Sequence, residues 1–295
     1  NLFSVGSQKK QSPHNIKPGE KLCDALEGMG TTFIKLGQFL ATRPDIIGEP
    51  LTNDLIKLQD KLPPFQLYES KKILKKEIGE NLYKNIIELS EPIAAASIAQ
   101  VHIAKINIDN KPTEVAIKIL RPGIEKEFNE ELDALMLFAY VVEKLFTKTK
   151  RLKLVEVVCL LREITNIEMD LRFEAAAANE LYENTKNDIG FNVPKIYWNY
   201  TSKKVLTLDK VDGITIREQK LLEDSGVDLK QLAENLIQHF LKQAVRDGFF
   251  HGDMHQGNLF VDKNGNIIPV DFGIMGRLDK YNRKYLAEIL YGFIQ

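Results

Sequence analysis

Cysteine is scarce in this chain. Cys23 and Cys159 are the only two in 295 residues. That is too few for a disulfide framework, and neither has the paired spacing of a zinc site, so a reducing compartment is expected. Charge of one sign is lacking too. Forty basic against 41 acidic residues give a net charge of −1, which removes any bulk electrostatic case for binding nucleic acid or anionic lipid. Local basic patches such as Lys71, Lys72, Lys75 and Lys76 remain. Long apolar runs are also absent. The longest, Ala134 to Val142, is far short of the ~20 residues a membrane-spanning helix needs. No secretory signal, internal repeat or low-complexity tract is visible. The chain begins at Asn1 rather than Met and stops a helix beyond Gly273. Both ends look cut, and any C-terminal membrane anchor is expected outside it.

What is present is ordinary globular material, 44% hydrophobic and 27% charged, long enough for two lobes or one large domain. Residues 1–19 read as a polar leader. From Glu20 to about Ala41 a helical period runs through Leu22, Leu26, Met29, Phe33, Leu36 and Leu40, ending where Pro44 bars continuation. Further helices fit Leu51 to Lys61 and Phe65 to Ile78, the latter closed by Gly79. The period then turns alternating: Ile93 to Ile108 reads as strand, tight turn and strand, and Glu114 to Leu120 as a third strand. Asn129 to Phe146 and Lys153 to Tyr182 are long helical patterns. Ile196 to Tyr200 and Lys204 to Asp209 read as strands, and Leu221 to Arg246 as a helix. Asp279 is placed to cap a last one. The expected division is a leader over 1–19, a helical extension over 20–90, a sheet-bearing lobe with inserted helices over 91–212, and a partial second lobe over 213–295.

The most informative stretch is His251-Gly252-Asp253-Met254-His255-Gln256-Gly257-Asn258, followed by Asp271-Phe272-Gly273. Asp253 and Asn258 have the five-residue separation of a kinase catalytic loop. Between the two motifs, Leu259 to Val261 and Ile267 to Val270 read as strands around the turn Lys263-Asn264-Gly265-Asn266. Such a hairpin gathers three oxygen-bearing side chains. Asp271 and Asn258 suit Mg²⁺, a hard cation that takes few protein oxygens and keeps positions for phosphate and water. Asp253 is left to orient or deprotonate an attacking hydroxyl or water. His251 and His255 are four apart, but in a glycine-containing loop rather than on a helix, so a structural role is expected for both.

Val115-Ala116-Ile117-Lys118 matches the kinase strand whose lysine reaches the ATP phosphates. Alone, Lys118 would read as an edge-strand lysine; on a buried strand its ammonium needs a carboxylate. Sequence order puts Glu174 ahead of Glu168 as that partner. The loop expected to cover phosphates lacks the usual G-x-G-x-x-G. Ile93-Ala94-Ala95-Ala96-Ser97-Ile98-Ala99-Gln100-Val101 stands there instead. Alanine still allows close backbone approach, and backbone N–H groups with Ser97 suit phosphate. It permits fewer positive-φ conformations than glycine, so a stiffer loop is expected. Without Lys118 nearby, the segment would read as plain alanine-rich structure.

These residues, with Lys35-Leu36-Gly37-Gln38 and Glu168-Met169-Asp170, resemble the UbiB/ADCK family of atypical kinases, the bacterial UbiB branch most of all. The resemblance covers roughly residues 20–280. It departs from the family pattern at Met254 and Gln256, neither of them a metal or phosphate ligand there. It implies an α+β, protein-kinase-like two-lobed fold, with the helical extension bearing K-x-G-Q packed over the active-site cleft. Carried over, Lys35 and Gln38 would face Glu168 and Asp170 as a regulatory set; as Asp170 and Glu174 are four apart, one helix face would serve both the cleft and Lys118. Adenine would lie against the backbone from Leu208 to Val211. The implied cofactors are ATP and Mg²⁺. The implied role is ATPase or small-molecule kinase chemistry supporting ubiquinone biosynthesis, at the cytoplasmic face of a bacterial inner membrane. Partners would be ubiquinone-biosynthesis enzymes and lipid or isoprenoid precursors, not nucleic acid. A protein kinase whose extension swings aside, and an ATP-sensing scaffold without turnover, are the alternatives. The presence of Asp253 speaks against the scaffold.

Overall fold

The computed structural model describes residues 18–41, 44–56, 58 and 63–294. They form two compact units: one holds the described residues up to 62 with Glu125–Glu163, the other Pro63–Ile124 with the chain from Ile164 onward. Most of the leader expected over 1–19 lies outside the described residues, as do Arg43 and the last residues of the helix expected over 51–61.

The first unit opens with α1 (Pro18–Met29), α2 (Thr31–Ala41), α3 (Pro44–Ile47) and α4 (Glu49–Leu55). The single helix expected from Glu20 to Ala41 is therefore two. Gly30 breaks it at φ +110°, a conformation that glycine adopts without penalty. Leu26, Leu55 and Leu58 form the buried centre, with Leu22, Cys23, Phe33 and Leu40 packed around them. Gly37 makes that closeness possible. A Cβ there would sit 2.3 Å from Leu58 Cδ1 and 2.9 Å from Leu26 Cδ1, so the glycine of Lys35-Leu36-Gly37-Gln38 has a packing reason of its own.

The second unit begins with α5 (Leu67–Tyr83), which runs past Gly79 through a kink (φ +82°) rather than ending there. Three strands follow: β1 (Ile86–Ala95), β2 (Ala99–Ile108) and β3 (Lys111–Leu120). β1 starts earlier than the Ile93 expected. Next along the chain come α6 (Ile124–Leu145) and α7 (Leu154–Glu168), which lie mostly in the first unit through Glu125–Glu163, and then α8 (Leu171–Thr185), which belongs to the second. The helix expected from Lys153 to Tyr182 is broken at Met169-Asp170. Asp170 has extended φ/ψ and caps α8 by accepting the Arg172 N–H at 3.1 Å, while the Leu171 N–H is drawn to Lys203 O. Asp170 is thus a cap rather than a member of the helix face that carries Glu174.

β4 (Val205–Asp209) completes an antiparallel sheet in the order β1-β2-β3-β4. The strand expected over Ile196 to Tyr200 is a 3₁₀ turn at Trp198–Tyr200 with a single bridge from Ile196 to Leu208. Alternation divides the sheet's faces. Ala104, Ile106, Val115, Ile117, Ile119 and Val205 bury one face under Leu74 of α5 and Tyr200. The register aligns Val101, Lys118 and Leu206 across the other.

The remainder comprises β5 (Ile214–Thr215), α9 (Gln219–Asp224), α10 (Leu229–Leu241), β6 (Phe249–His251), β7 (Leu259–Val261), β8 (Ile267–Pro269), β9 (Met275–Arg277) and α11 (Lys280–Ile294). The helix expected over 221–246 is interrupted. Gly226 takes φ +79°, and Asp228 starts α10 by accepting the Lys230 and Gln231 N–H groups at 2.9 and 3.1 Å. A π-helical turn, Lys242–Asp247, then leads into β6. β7 and β8 pair as the expected hairpin, Leu259 opposite Pro269 and Val261 opposite Ile267. Asp262 fastens its turn, accepting the Asn264 and Asn266 N–H groups at 2.8 and 2.9 Å. Asp279 accepts the Asn282 N–H at 2.8 Å and caps α11.

Candidate active site

Lys118 lies on β3, one strand in from the sheet's edge, with its side chain 19% exposed. It donates to both carboxylate oxygens of Glu174 on α8, each at 2.9 Å. Asp271 Oδ2 is 3.8 Å from the same nitrogen. Burial works against the charge on Lys118, but the carboxylates of Asp271 and Glu174 outweigh it and raise its pKa above the usual lysine value, with Glu168 adding a smaller attraction. Burial likewise pushes the Glu174 carboxyl up. Lys118 pulls it back, and the negative charge of Asp271 adds to the rise. One ammonium between two carboxylates leaves an excess negative charge, and a cation would offset it.

The two loops below are joined through a histidine. β6 delivers His251, which is 2% exposed. Its Nε2–H donates to the Asp271 carbonyl, and its Nδ1 accepts the Asp253 N–H at 3.2 Å. Those roles require the neutral ring, and burial holds the His251 pKa below its ordinary value. Asn258 donates from Nδ2 to Asp253 Oδ2 at 3.0 Å, which leaves its amide oxygen for a cation. The Asn258 carbonyl accepts the Val270 N–H at 3.0 Å, so the hairpin fixes the distance between the two motifs. Asp271 Oδ1 accepts the Gly273 N–H at 3.0 Å, and Phe272 is buried. Asp253, Asn258, Asp271, Lys118 and Glu174 therefore belong to one linked set. His255 accepts its own loop's Gly257 N–H.

Among the described residues no three His, Cys, Asp or Glu side chains gather into a metal cage. Asp271 and Asn258 offer one carboxylate and one amide, the sparse set that suits Mg²⁺ carried on phosphate. The alanine-rich segment is part strand and part turn: Ile93, Ala94 and Ala95 end β1, Ala99, Gln100 and Val101 begin β2, and the Ala96 N–H closes the turn on Ala99 O at 2.8 Å. Ser97 is fully buried and its hydroxyl has no hydrogen-bond partner. An orphan donor within a tight backbone turn fits an acceptor-rich group such as phosphate. Gln100 points elsewhere: its side chain bonds the Phe65 backbone, Ser70 and His102. Leu208 lies on β4 opposite Ala116, and Val211 lies beyond the strand's end.

Lys35 and Gln38 lie on α2 in the first unit, Glu168 at the end of α7 in the second. Arg172 grips both carboxylate oxygens of Asp170, at 2.9 and 2.6 Å, and this bonding holds the Asp170 pKa below the usual carboxylate value. Two contributors were not singled out from the sequence. Arg121, just past β3, donates Nε and Nη2 to the Ala96 carbonyl at 3.1 and 2.9 Å. Arg277 on β9 pairs with Glu180 of α8 at 2.9 and 2.7 Å. Neither sits in a recognisable motif, although Arg121 lies three residues after the strand lysine.

A four-stranded sheet with its strand lysine held by a helix carboxylate, above two loops joined by a hairpin, defines a protein-kinase-like fold. The chain matches the ABC1 atypical kinase-like domain over residues 57–295. It is 40% identical to a probable protein kinase UbiB of Marinobacter nauticus, over 95% of this chain and 52% of that protein. With a protein of the same description from Azotobacter vinelandii it shares 38% identity, over 92% of this chain and 51% of that one. Among solved structures it resembles Mycobacterium tuberculosis Rv3197, determined in complex with erythromycin, with a TM-score of 0.60 and 26% identity. That match covers 88% of this chain and 65% of the other. The chain belongs to the ABC1 atypical kinase family, which includes the bacterial UbiB proteins, and spans about half the length of the curated relatives it matches.

Proposed function

We propose that this chain carries the ATP-handling part of a Mg²⁺-dependent phosphotransferase or ATPase. One observation carries the reading: Lys118 bonded to both oxygens of Glu174, with Asp271 3.8 Å away. An ammonium so held is immobile, charged and aimed at one place, as phosphate positioning requires. Asp253 keeps one carboxylate oxygen on Asn258 Nδ2 and offers the other to an attacking hydroxyl or water. Backbone groups of residues 93–101, with the Ser97 hydroxyl, cover the phosphates, and Leu208 to Val211 line the adenine. Asp271 and Asn258 would hold Mg²⁺, which when bound would neutralise charge on the transferring group.

The same reading assigns residues 20–90 to a helical extension, 91–212 to the upper lobe and 213–295 to part of the lower one. By the family resemblance, Lys35, Gln38, Glu168 and Asp170 are a regulatory set, and the acceptor is a lipid, a small molecule or water. The names of the relatives support a place in ubiquinone biosynthesis, alongside its enzymes and isoprenoid precursors, at the cytoplasmic face of a bacterial inner membrane. No helix among the described residues is long and apolar enough to cross a membrane, so attachment is peripheral or lies in other sequence.

The test is ATP hydrolysis by this chain with and without Mg²⁺, beside Asp253→Asn. The expected result is turnover that needs Mg²⁺ and falls about 10³-fold in the variant while nucleotide binding persists. Equal turnover in parent and variant removes Asp253 from the chemistry, and binding without any turnover returns the scaffold reading.

A further inference from the structure

Gln100 belongs to the alanine-rich stretch by sequence but works on the opposite face of the sheet. Its amide makes a two-point pair with the Phe65 backbone, accepting the Phe65 N–H at 2.9 Å and donating to the Phe65 carbonyl at 3.1 Å, much as a neighbouring strand would. The amide's orientation is fixed from behind. Gln100 Nε2 is 3.0 Å from both Ser70 Oγ and His102 Nε2, and those two atoms are 3.0 Å apart. His102 Nδ1 lies 2.8 Å from the Ser90 carbonyl, which can only accept, and burial lowers the His102 pKa. Nδ1 therefore carries the proton of a neutral ring. Nε2 accepts from the Ser70 hydroxyl, Ser70 accepts from Gln100, and the amide is left one way to face Phe65.

The place of this network is telling. Gln100, His102 and Ser70 are fully buried, while the next residues on the same face of β2 are Ala104 and Ile106 of the apolar core. Polar side chains stand only at the end beside the turn. A satisfied buried network fixes geometry more than it adds stability, and the geometry fixed here is that of Phe65. The Arg121 guanidinium lies over the Phe65 ring, 5.8 Å from its centre, and the same guanidinium donates to the Ala96 carbonyl. Stacking of this kind restrains a long side chain that would otherwise sample many rotamers. Pro63 and Pro64 precede Phe65, so the segment is stiff on its approach. A continuous path thus runs from the buried face of the sheet through Gln100, Phe65 and Arg121 to the turn over 96–98.

We infer that Gln100 and Phe65 are positioning residues for the nucleotide: they hold the Arg121 guanidinium, and through it the turn over 96–98, where the ATP phosphates need it. The inference deepens the nucleotide reading above and rests on it. Neither residue touches phosphate; each acts through Arg121. Losing either leaves Lys118, Glu174, Asp253 and Asp271 with their own partners, so affinity for ATP should fall while the chemistry of bound nucleotide persists.

Equilibrium binding of ATP with Mg²⁺ to the whole 295-residue chain tests it, together with hydrogen exchange over residues 94–101 in the nucleotide-free chain. Phe65→Leu keeps the backbone pair with Gln100 and loses the ring under Arg121. ATP affinity should fall about threefold, and the Ala96 amide should exchange about threefold faster. Gln100→Ala should weaken ATP binding about tenfold. Thermal denaturation checks that each variant is folded, and Phe65→Leu, at a half-buried position, stays readable if Gln100→Ala unfolds. The decisive comparison uses Arg121→Ala as the background. There Phe65→Leu should have no further effect on ATP affinity, whereas a merely structural role would add its full loss. Additive losses overturn the inference alone, as does unchanged exchange in Phe65→Leu. Faster exchange with unchanged ATP affinity, or no ATP binding by the parent, overturns it through the nucleotide reading on which it rests.

Discussion

Two loops border the candidate site, and they are held by different means. The catalytic loop, 251–258, is tied from within the fold: His251 is buried and bonds backbone groups on both sides of it, Asp253 and Asp271. The alanine-rich turn, 96–98, is tied from nearer the surface, by a half-buried Arg121 that reaches the Ala96 carbonyl. Breaking a buried hydrogen bond strands its partner away from water, whereas an exposed partner is rehydrated. The contrast implies a floor whose chemistry is fixed and a roof whose fit to nucleotide is adjustable. A glycine-rich roof would be mobile by backbone entropy; here side chains set how far the turn can shift.

Among the residues that hold the loops in place, the largest effect should follow from His251→Ala. It deletes two hydrogen bonds and the packing of the ring against Phe272, 6.0 Å between centres. The expected loss is about 2–4 kcal/mol of stability and about 10²-fold in ATP turnover, since Asp253 and Asp271 lose their common reference. Chemical denaturation and hydrolysis assays read the two. The same histidine gives a pH dependence. Its folded pKa lies below 6.5 because of burial, so the unfolded chain takes up the proton first as pH falls. The stability it contributes is therefore complete above about 6.5 and lost below it. On acidifying from about pH 7.5 to about pH 5.5, the gap in stability between parent and His251→Ala should narrow. A constant gap would show that the ring is not held neutral.

Much of this floor was legible because its signals are local. Spacing alone separates Asp253 from Asn258, the turn Lys263 to Asn266 fixes the hairpin, and chain order puts Glu174 within reach of Lys118. What was not legible depends on partners distant in sequence. The helical period runs unbroken through Gly30, and nothing nearby reveals that the chain bends there. Asp170 reads as one more polar position on a helix face until Leu171 is drawn to Lys203 and the segment becomes a cap. Gln100 sits in the middle of the phosphate-loop stretch, yet strand alternation turns its side chain to the opposite face, where Phe65 and Ser70 wait. Ile196 to Tyr200 has strand composition but meets β4 at a single bridge. The division into compact units likewise joins α5 to the sheet, a pairing that periodicity cannot see.

A middle-sized effect should come from Arg121→Ala. The Arg121 backbone N–H still reaches Ile98 O at 2.8 Å, and Ala96 still closes on Ala99, so the turn persists without its outer clamp. Stability should change by about 1 kcal/mol or less. The KM for ATP should rise about threefold to tenfold with little change in kcat, because the contact positions a binding loop rather than the reacting groups. Arg121→Lys should recover part of the loss, since a single ammonium nitrogen can donate to the Ala96 carbonyl where the guanidinium donates from two nitrogens. A fall in kcat equal to that of His251→Ala would erase the distinction between roof and floor.

The smallest effect tests the contrast at its most exposed point. Arg277 and Glu180 tie β9, just past Asp271-Phe272-Gly273, to the helix that carries Glu174, and their side chains are 66% and 40% exposed. Such a pair is worth about 0.2–1 kcal/mol, and the guanidinium over the Phe249 ring, 4.6 Å from its centre, adds a similar amount. A double-mutant cycle of Arg277→Ala with Glu180→Ala should return a coupling within that range, shrinking as salt is added. Turnover should fall about twofold, because Lys118 and Glu174 keep each other in place without help. If the cycle instead shows tenfold coupling in turnover, the helix position is set from the solvent side, and exposed ties in this fold govern catalysis as firmly as buried ones.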